Sequence, residues 1–358
     1  MNKKTLKRTI KLIASNGLTR LGLLERCIRL RDTLTQKPHT VFLMYHRVVA
    51  RQKADEVFSL PQIVVYQDSF ERQMEYLSSH YRVLSLDQYI ESIKGRIPLP
   101  SKTAVITFDD GWRDNFLYAF PLLKKFNLPA TIFLTTGFIA TNRMFWQESV
   151  IFLVSRLLSL RLDTNECFLR HGLENVLPLL SKLSAIDNNP VMLELIDTLK
   201  QVDISTLTAL TQCMRETLNV QELPYAENMF LDWTQIIEMQ QSLITFGSHG
   251  ISHQLLDTCG DDVIAEELTE SKKTIEGRLS SQVKSFAYPN GNYNSKIIER
   301  LKEAGYEVGV TVLPGLNTPQ TDPFQLKRIN ICENRFADLN GRFSEPLFAA
   351  SLSGILFK

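Results

Sequence analysis

Short runs of β-branched and aromatic residues recur along this chain, at 41–46, 104–110, 130–136, 243–249, 283–289, 308–312 and 327–331. Their length and composition read as buried strands. Helical patterns lie between several of them, as at 115–126 and 262–279. Alternation of this kind demands a parallel α/β architecture and is compatible with a barrel. Between about 144 and 225 it breaks. The Leu-rich segments 149–162, 175–183, 191–199 and 204–218 have helical spacing with no strand among them. The expected division is therefore a basic N-terminal segment (1–37), a first barrel part (38–143), a helical insertion (144–228), a second barrel part (229–335) and a C-terminal tail (336–358).

With 44% hydrophobic and 22% charged residues, 358 residues can bury a large core. The formal net charge of +1 and the lack of a basic run interleaved with aromatics exclude nucleic acid as an expected partner. Cys27, Cys167, Cys213, Cys259 and Cys332 are odd in number and form no CxxC pair, so they read as free thiols in a reducing compartment. No continuous apolar core marks a signal peptide and no stretch reaches the roughly 20 apolar residues of a spanning helix. The expected location is the cytoplasm. In residues 1–37, ten Lys/Arg face only Glu25 and Asp32, while Leu6, Ile10, Ile13, Leu21, Leu24 and Ile28 recur at helical spacing. Such a segment can lie on an anionic membrane at its inner face, or pack on the domain with its basic face solvated.

Thr107-Phe108-Asp109-Asp110-Gly111 ends an apolar run, and α/β folds place catalytic groups at the C-terminal ends of strands. Neighbouring side chains on extended backbone point apart, so one carboxylate can bind a metal while the other handles protons. Alone, the pair also fits a turn or a helix cap. Ser248-His249-Gly250-Ile251-Ser252-His253 ends another run. If the chain turns into a helix there, two His four residues apart share a face and can share a metal. Two His and one carboxylate leave positions open for water and substrate. Iron oxygenases use the same ligand types, but the spare carboxylate favours hydrolysis, because Asp109 can take a proton from the activated water. A third segment, Phe286-Ala287-Tyr288-Pro289-Asn290-Gly291, turns sharply at a strand end. The backbone N–H of Asn290 is a candidate oxyanion donor, with Tyr288 and Pro289 beside the substrate; a plain turn is the alternative.

With these segments in view, residues 41–331, the insertion excepted, resemble the NodB-type polysaccharide deacetylases, carbohydrate esterase family 4. TFDDG matches the family's first motif and SHGISH its HxxxH motif, while FAYPNG stands in place of the third. Asp232-Trp233, Ala304-Gly305-Tyr306 and Arg328-Ile329 also fall where relatives carry similar residues. The resemblance implies a distorted (β/α) barrel and a divalent metal, usually zinc. It implies hydrolysis of an N-acetyl group on an amino sugar, with Asp109 as base and Asp110, His249 and His253 as ligands. The expected substrate is a bacterial polysaccharide, lipopolysaccharide or lipid-linked glycan precursor. The alternatives are O-deacetylation, deformylation, or glycan binding without turnover.

Two departures stand out. Ala287 occupies the place where the third motif often carries an Arg that orients the base, and no His follows His253 to serve as the late general acid. Both resemble the subgroup that deacetylates poly-N-acetylglucosamine, where a Tyr-His-Arg segment on the first strand supplies the acid; here Tyr45-His46-Arg47 stands there. Elimination leads to the same residue. Of six histidines, His249 and His253 serve the metal, His39 precedes the first strand, His80 sits in a connection and His171 lies in the insertion. His46 remains, at the end of a strand, as the acid that protonates the departing amine. Arg328, grouped with the substrate-side residues, is a candidate for the lost orienting Arg, with a structural ion pair as the alternative.

Overall fold

Val, Ile, Phe and Thr dominate the seven runs, and each run forms a strand in the computed structural model. The model describes residues 39–183, 189–220 and 229–354, with Ala14, Gly17, Leu23 and Arg26 as isolated helical positions. The expectations for the segment 1–37 therefore fall outside the described residues. The chain divides into two compact units: 1–51, 62–141 and 230–358 form one, 52–61 and 142–229 the other.

In the first unit the strands are β1 (Thr40–Tyr45), β2 (Arg47–Val49), β3 (Val64–Tyr66), β4 (Arg82–Val83), β5 (Thr103–Phe108), β6 (Ala130–Leu134), β7 (Ile244–Ser248), β8 (Ser285–Ala287), β9 (Val308–Val310), β10 (Leu316–Asn317) and β11 (Ile329–Asn330). Among the described residues the main sheet runs β10-β1-β5-β6-β7-β8-β9, with β11 also on β1 and β4 on β5. All its pairings are parallel except β1 with β10. A bridge from Val310 to Leu326 joins β9 to the chain entering β11, which pairs with β1. The sheet thus curls back toward its own first strand, as a distorted (β/α) barrel.

Side chains of alternate strand positions fill the interior, because the pleat has a period of two. Phe42, Val105, Phe133, Ala287, Val308, Val310 and Leu326 form one buried cluster with Leu84, Leu86, Tyr89 and Ile90. The last three belong to the helix Leu86–Ile93, which starts in a capping box between Ser85 and Gln88. Such a cap stabilises a helix by about 1 kcal/mol. After β11 comes a helix, Glu345–Leu352, whose Phe348 ring lies edge-on to Tyr76 of the helix Gln67–His80.

The second unit is helical: Trp146–Ser159, Asn165–Arg170, Leu177–Leu180, Asn189–Leu199 and Ile204–Thr217. Its own core includes Val150, Leu153, Phe168, Leu195, Ile196 and Leu210. The stretch 52–61 joins it from far upstream through Phe58, edge-on to Phe152, and Ser59, which donates to Glu148. Sequence spacing carries no signal of that association. One expectation is overturned here: Cys167 and Cys213 are not free thiols but a disulfide, with Cα atoms 5.7 Å apart. The two cysteines lie 46 residues apart in sequence, on the helices Asn165–Arg170 and Ile204–Thr217. Among the described residues Cys259 and Cys332 take part in no disulfide.

Candidate metal centre

β1, β5 and β7 deliver their C-terminal residues to one place. Tyr45 pairs with Phe108 across β1 and β5, so His46 and Asp109 leave the sheet side by side. The alternation that turns Phe42 and Val105 inward also turns His46 and Asp109 inward, four residues further along each strand. Ser248 ends β7 opposite Leu134, and the His249 N–H donates to the Leu134 carbonyl at 2.9 Å.

Asp110 leaves that alternation. Its φ of 78° lies in the left-handed region, and Gly111 follows at 81°. A non-glycine residue there carries a strain on the order of 1 kcal/mol. The bend swings the second carboxylate across the strand end, beside both histidines. Its Oδ1 lies 3.4 Å from His249 Nε2 and 3.5 Å from His253 Nε2. The three ligand atoms all lie within 4.8 Å of one another. Oδ1 is buried with no hydrogen-bond partner, whereas Oδ2 accepts from Trp112 Nε1 at 2.7 Å. A buried carboxylate oxygen without a donor is costly, and one that faces two imidazole nitrogens suits a shared cation. His249 Nδ1 lies 2.7 Å from the Ala287 carbonyl, which fixes the proton there and leaves Nε2 as the ligand atom. Burial holds His253 down at about 4, against the nearby Asp110 carboxylate, so that imidazole is neutral as a ligand requires. The donor set fits a divalent metal.

The helix considered for 249–253 does not form. The segment is a tight loop after β7, with Gly250 at φ 79° and His253 at 61°. The two imidazoles converge through left-handed backbone rather than through helical spacing, and their rings meet at 70° and 5.0 Å.

Asp109 faces Arg328. Two parallel bonds of 2.7 Å join the guanidinium to the carboxylate; Arg328 Nε also donates to the Thr311 carbonyl at 2.8 Å and Nη1 to Thr107 at 3.2 Å. Arg328 is 0% exposed, with its guanidinium turned to Asp109. Burial pushes the Asp109 pKa up, but the guanidinium outweighs it and holds the group below the ordinary carboxylate value. His46 Nε2 lies 3.9 Å from Asp109, and burial lowers the imidazole pKa against the pull of both aspartates. His80 ends a helix against Tyr76, and His171 follows a helix of the second unit.

The third segment enters the centre through the Ala287 carbonyl. Tyr288 is fully buried, its hydroxyl donates to the Phe324 carbonyl at 2.9 Å, and its ring stacks on Tyr293. Pro289 is buried, and Asn290, at φ 55°, is exposed, donating from its side chain to Asn292. Sequence reading gave no role of their own to Arg47, Trp112 and Asp114, which lie around Asp110. Arg47 stacks 4.3 Å over the Trp112 ring and donates to Asp114 at 2.8 Å, while Trp112 stacks on Phe230 at 4.7 Å. Trp112 and Asp114 lie directly after TFDDG, which is the signal that was available.

The polysaccharide deacetylase family model matches residues 96–157 and 185–309, just over half of the chain. The chain is 23% identical over 313 residues to the poly-beta-1,6-N-acetyl-D-glucosamine N-deacetylase of Staphylococcus epidermidis, covering 85% of this chain and 83% of that protein. Among solved structures, the Streptococcus pyogenes deacetylase PplD in complex with acetate superposes with a TM-score of 0.57 at 19% identity, over 88% of this chain and 99% of that one. IcaB from Ammonifex degensii gives 0.55 at 19% identity, over 88% and 97%. At these identities the two structures share the fold.

Proposed function

The chain belongs to the polysaccharide deacetylase family, and from that premise we propose that it is a metal-dependent N-deacetylase of amino sugars in a bacterial polysaccharide. One observation carries the reading. A candidate base, a candidate acid and a three-residue ligand set meet at the ends of three parallel strands: Asp109 lies 3.9 Å from His46, next in sequence to the Asp110 that faces His249 and His253.

Asp110, His249 and His253 would hold a divalent ion, and zinc, which two imidazoles and a carboxylate suit, is the proposed one. When bound, it supplies Lewis acidity toward water and the acyl oxygen. Asp109 takes the proton from the attacking water, and Arg328 keeps it ionised and correctly turned. The water oxygen bonds to the acetyl carbon. As the carbon–nitrogen bond breaks, His46 gives the departing amine its proton, without which an amine anion leaves too slowly. Acetate and the free amino sugar are the products. The backbone N–H of Asn290 is the proposed second stabiliser of the oxyanion. The relative named for poly-N-acetylglucosamine supports an N-acetylated hexosamine polymer as the substrate class.

The test is acetate release by the purified chain from N-acetylglucosamine oligomers and from O-acetylated sugars, with zinc and after chelation. Release from the first alone, lost on chelation and restored by zinc, is the expected result. Release from the O-acetyl compounds alone overturns N-deacetylation, and release that survives full metal removal overturns the metal reading.

A further inference from the structure

We propose that Glu267 is a positioning residue of the metal centre, which aims His253, and not His249, at the ion. The inference rests on the metal reading above. His249 needs no such help: its N–H is fixed to the Leu134 carbonyl in continuation of β7, and its ring to the Ala287 carbonyl. His253 stands four residues further on, in neither strand nor helix, with φ at 61°. Left-handed backbone at a non-glycine residue persists only where its surroundings over-determine it.

Two sets of contacts fix the loop. Its carbonyls are held by β6's continuation, with Thr136 N–H donating to Gly250 at 3.0 Å and Gly137 N–H to Ile251 at 2.9 Å. The Gly250 N–H donates to Ser248 Oγ at 3.1 Å, and the next two N–H groups are held by one side chain. The Glu267 carboxylate accepts from Ile251 N–H at 2.6 Å, from Ser252 N–H at 3.2 Å and from the Ser252 hydroxyl. Glu267 reaches in from the helix Asp261–Leu279 and is 5% exposed. Gly250 makes room for it, since a Cβ there would meet Glu267 Oε2 at 2.6 Å. The helix is itself tied to β7: Ser271 Oγ donates to the Glu267 carbonyl at 2.5 Å and lies 2.7 Å from Ser248 Oγ. A buried carboxylate committed to backbone N–H groups makes strong, charge-assisted bonds, and here they end on the two residues that precede His253.

The measurement is zinc affinity of the full chain, by competition with a chromophoric chelator, alongside circular dichroism and thermal melting of the metal-free protein. Glu267→Gln keeps the size but replaces one acceptor oxygen with a donor. It is expected to fold and to bind zinc about 10–100-fold more weakly. Glu267→Asp, which withdraws the carboxylate by one methylene, should move affinity in the same direction and serves if the Gln variant does not fold. The discriminating step is a pair of double mutants. With His253→Ala present, Glu267→Gln should cost little more, under about twofold, whereas with His249→Ala present it should cost its full factor. Affinity of both Glu267 variants within about twofold of wild type overturns the proposal, and so does an equal loss in the two backgrounds, which a merely structural role would give. A wild-type chain that binds no zinc overturns the metal reading itself; normal zinc binding with insensitive Glu267 variants overturns only this inference.

Discussion

The Asp109–Arg328 pair bears most directly on the protonation of the proposed base. Arg328→Gln leaves a buried carboxylate without its cation, a loss of about 3–5 kcal/mol for a buried pair. Its sign in pH follows from the depressed pKa. Asp109 contributes stability that is present above the unfolded carboxylate value of about 3.9 and is lost as pH falls through the lower folded value. Without the guanidinium, burial is opposed only by the weaker pull of His249 and His46, the pKa rises, and the acid limb of kcat/KM should move to higher pH. An unmoved limb in Arg328→Gln would remove Arg328 from the mechanism. His46→Ala should retain metal content and fold but lower kcat by about 10²–10⁴. An acid must be protonated, so the rate that falls as pH rises through the His46 pKa should lose that basic limb. Normal turnover with an unchanged profile would mean that the proton comes from elsewhere. At this scale the sequence was informative where chemistry demands rare residue types at strand ends: TFDDG, HxxxH and the one uncommitted histidine. Arg328 was legible only as a candidate, since nothing local to it says that it crosses the barrel to Asp109. Glu267 was not legible at all, being one acid in a helix rich in them.

Strands were read to within a residue or two because apolar runs bounded by turns leave few alternatives. The short β2, β3, β4 and β10 were missed, since two or three residues carry no period. The 249–253 segment failed for a different reason: His at i and i+4 imitates helical spacing, and only the left-handed residues, invisible in composition, make it a loop. β7 illustrates what the packing demands of one strand. A Cβ on Gly247 would lie 2.6 Å from the Phe133 ring and 2.6 Å from Ser285 Oγ. Gly247→Ala should therefore destabilise by about 1–3 kcal/mol through overpacking, read as a lower denaturant midpoint. An unchanged midpoint would show that the interior there is looser than these distances imply.

For the whole molecule, the break in alternation was readable from the helical spacing after residue 144. The return of 52–61 to the helical unit was not, because association between distant segments leaves no local pattern. The cytoplasmic expectation leaned on five free thiols, and the Cys167–Cys213 bond withdraws that support, since disulfides persist mainly in oxidising compartments. Digestion of the native protein without reduction should yield one linked peptide pair containing both cysteines. Alkylation of both before any reductant is added would contradict the pairing. Among the described residues no helix is long and apolar enough to cross a membrane.

The central claim is a division of labour between two adjacent acids, with Asp110 holding the ion and Asp109 moving the proton. Bound zinc and acetate release, measured on one preparation of Asp109→Asn, test it most directly. The Asn side chain keeps the volume beside Arg328 but cannot accept the water's proton, so zinc content should match wild type while turnover falls by about 10²–10⁴. Zinc lost together with activity, or turnover that survives, would contradict the assignment.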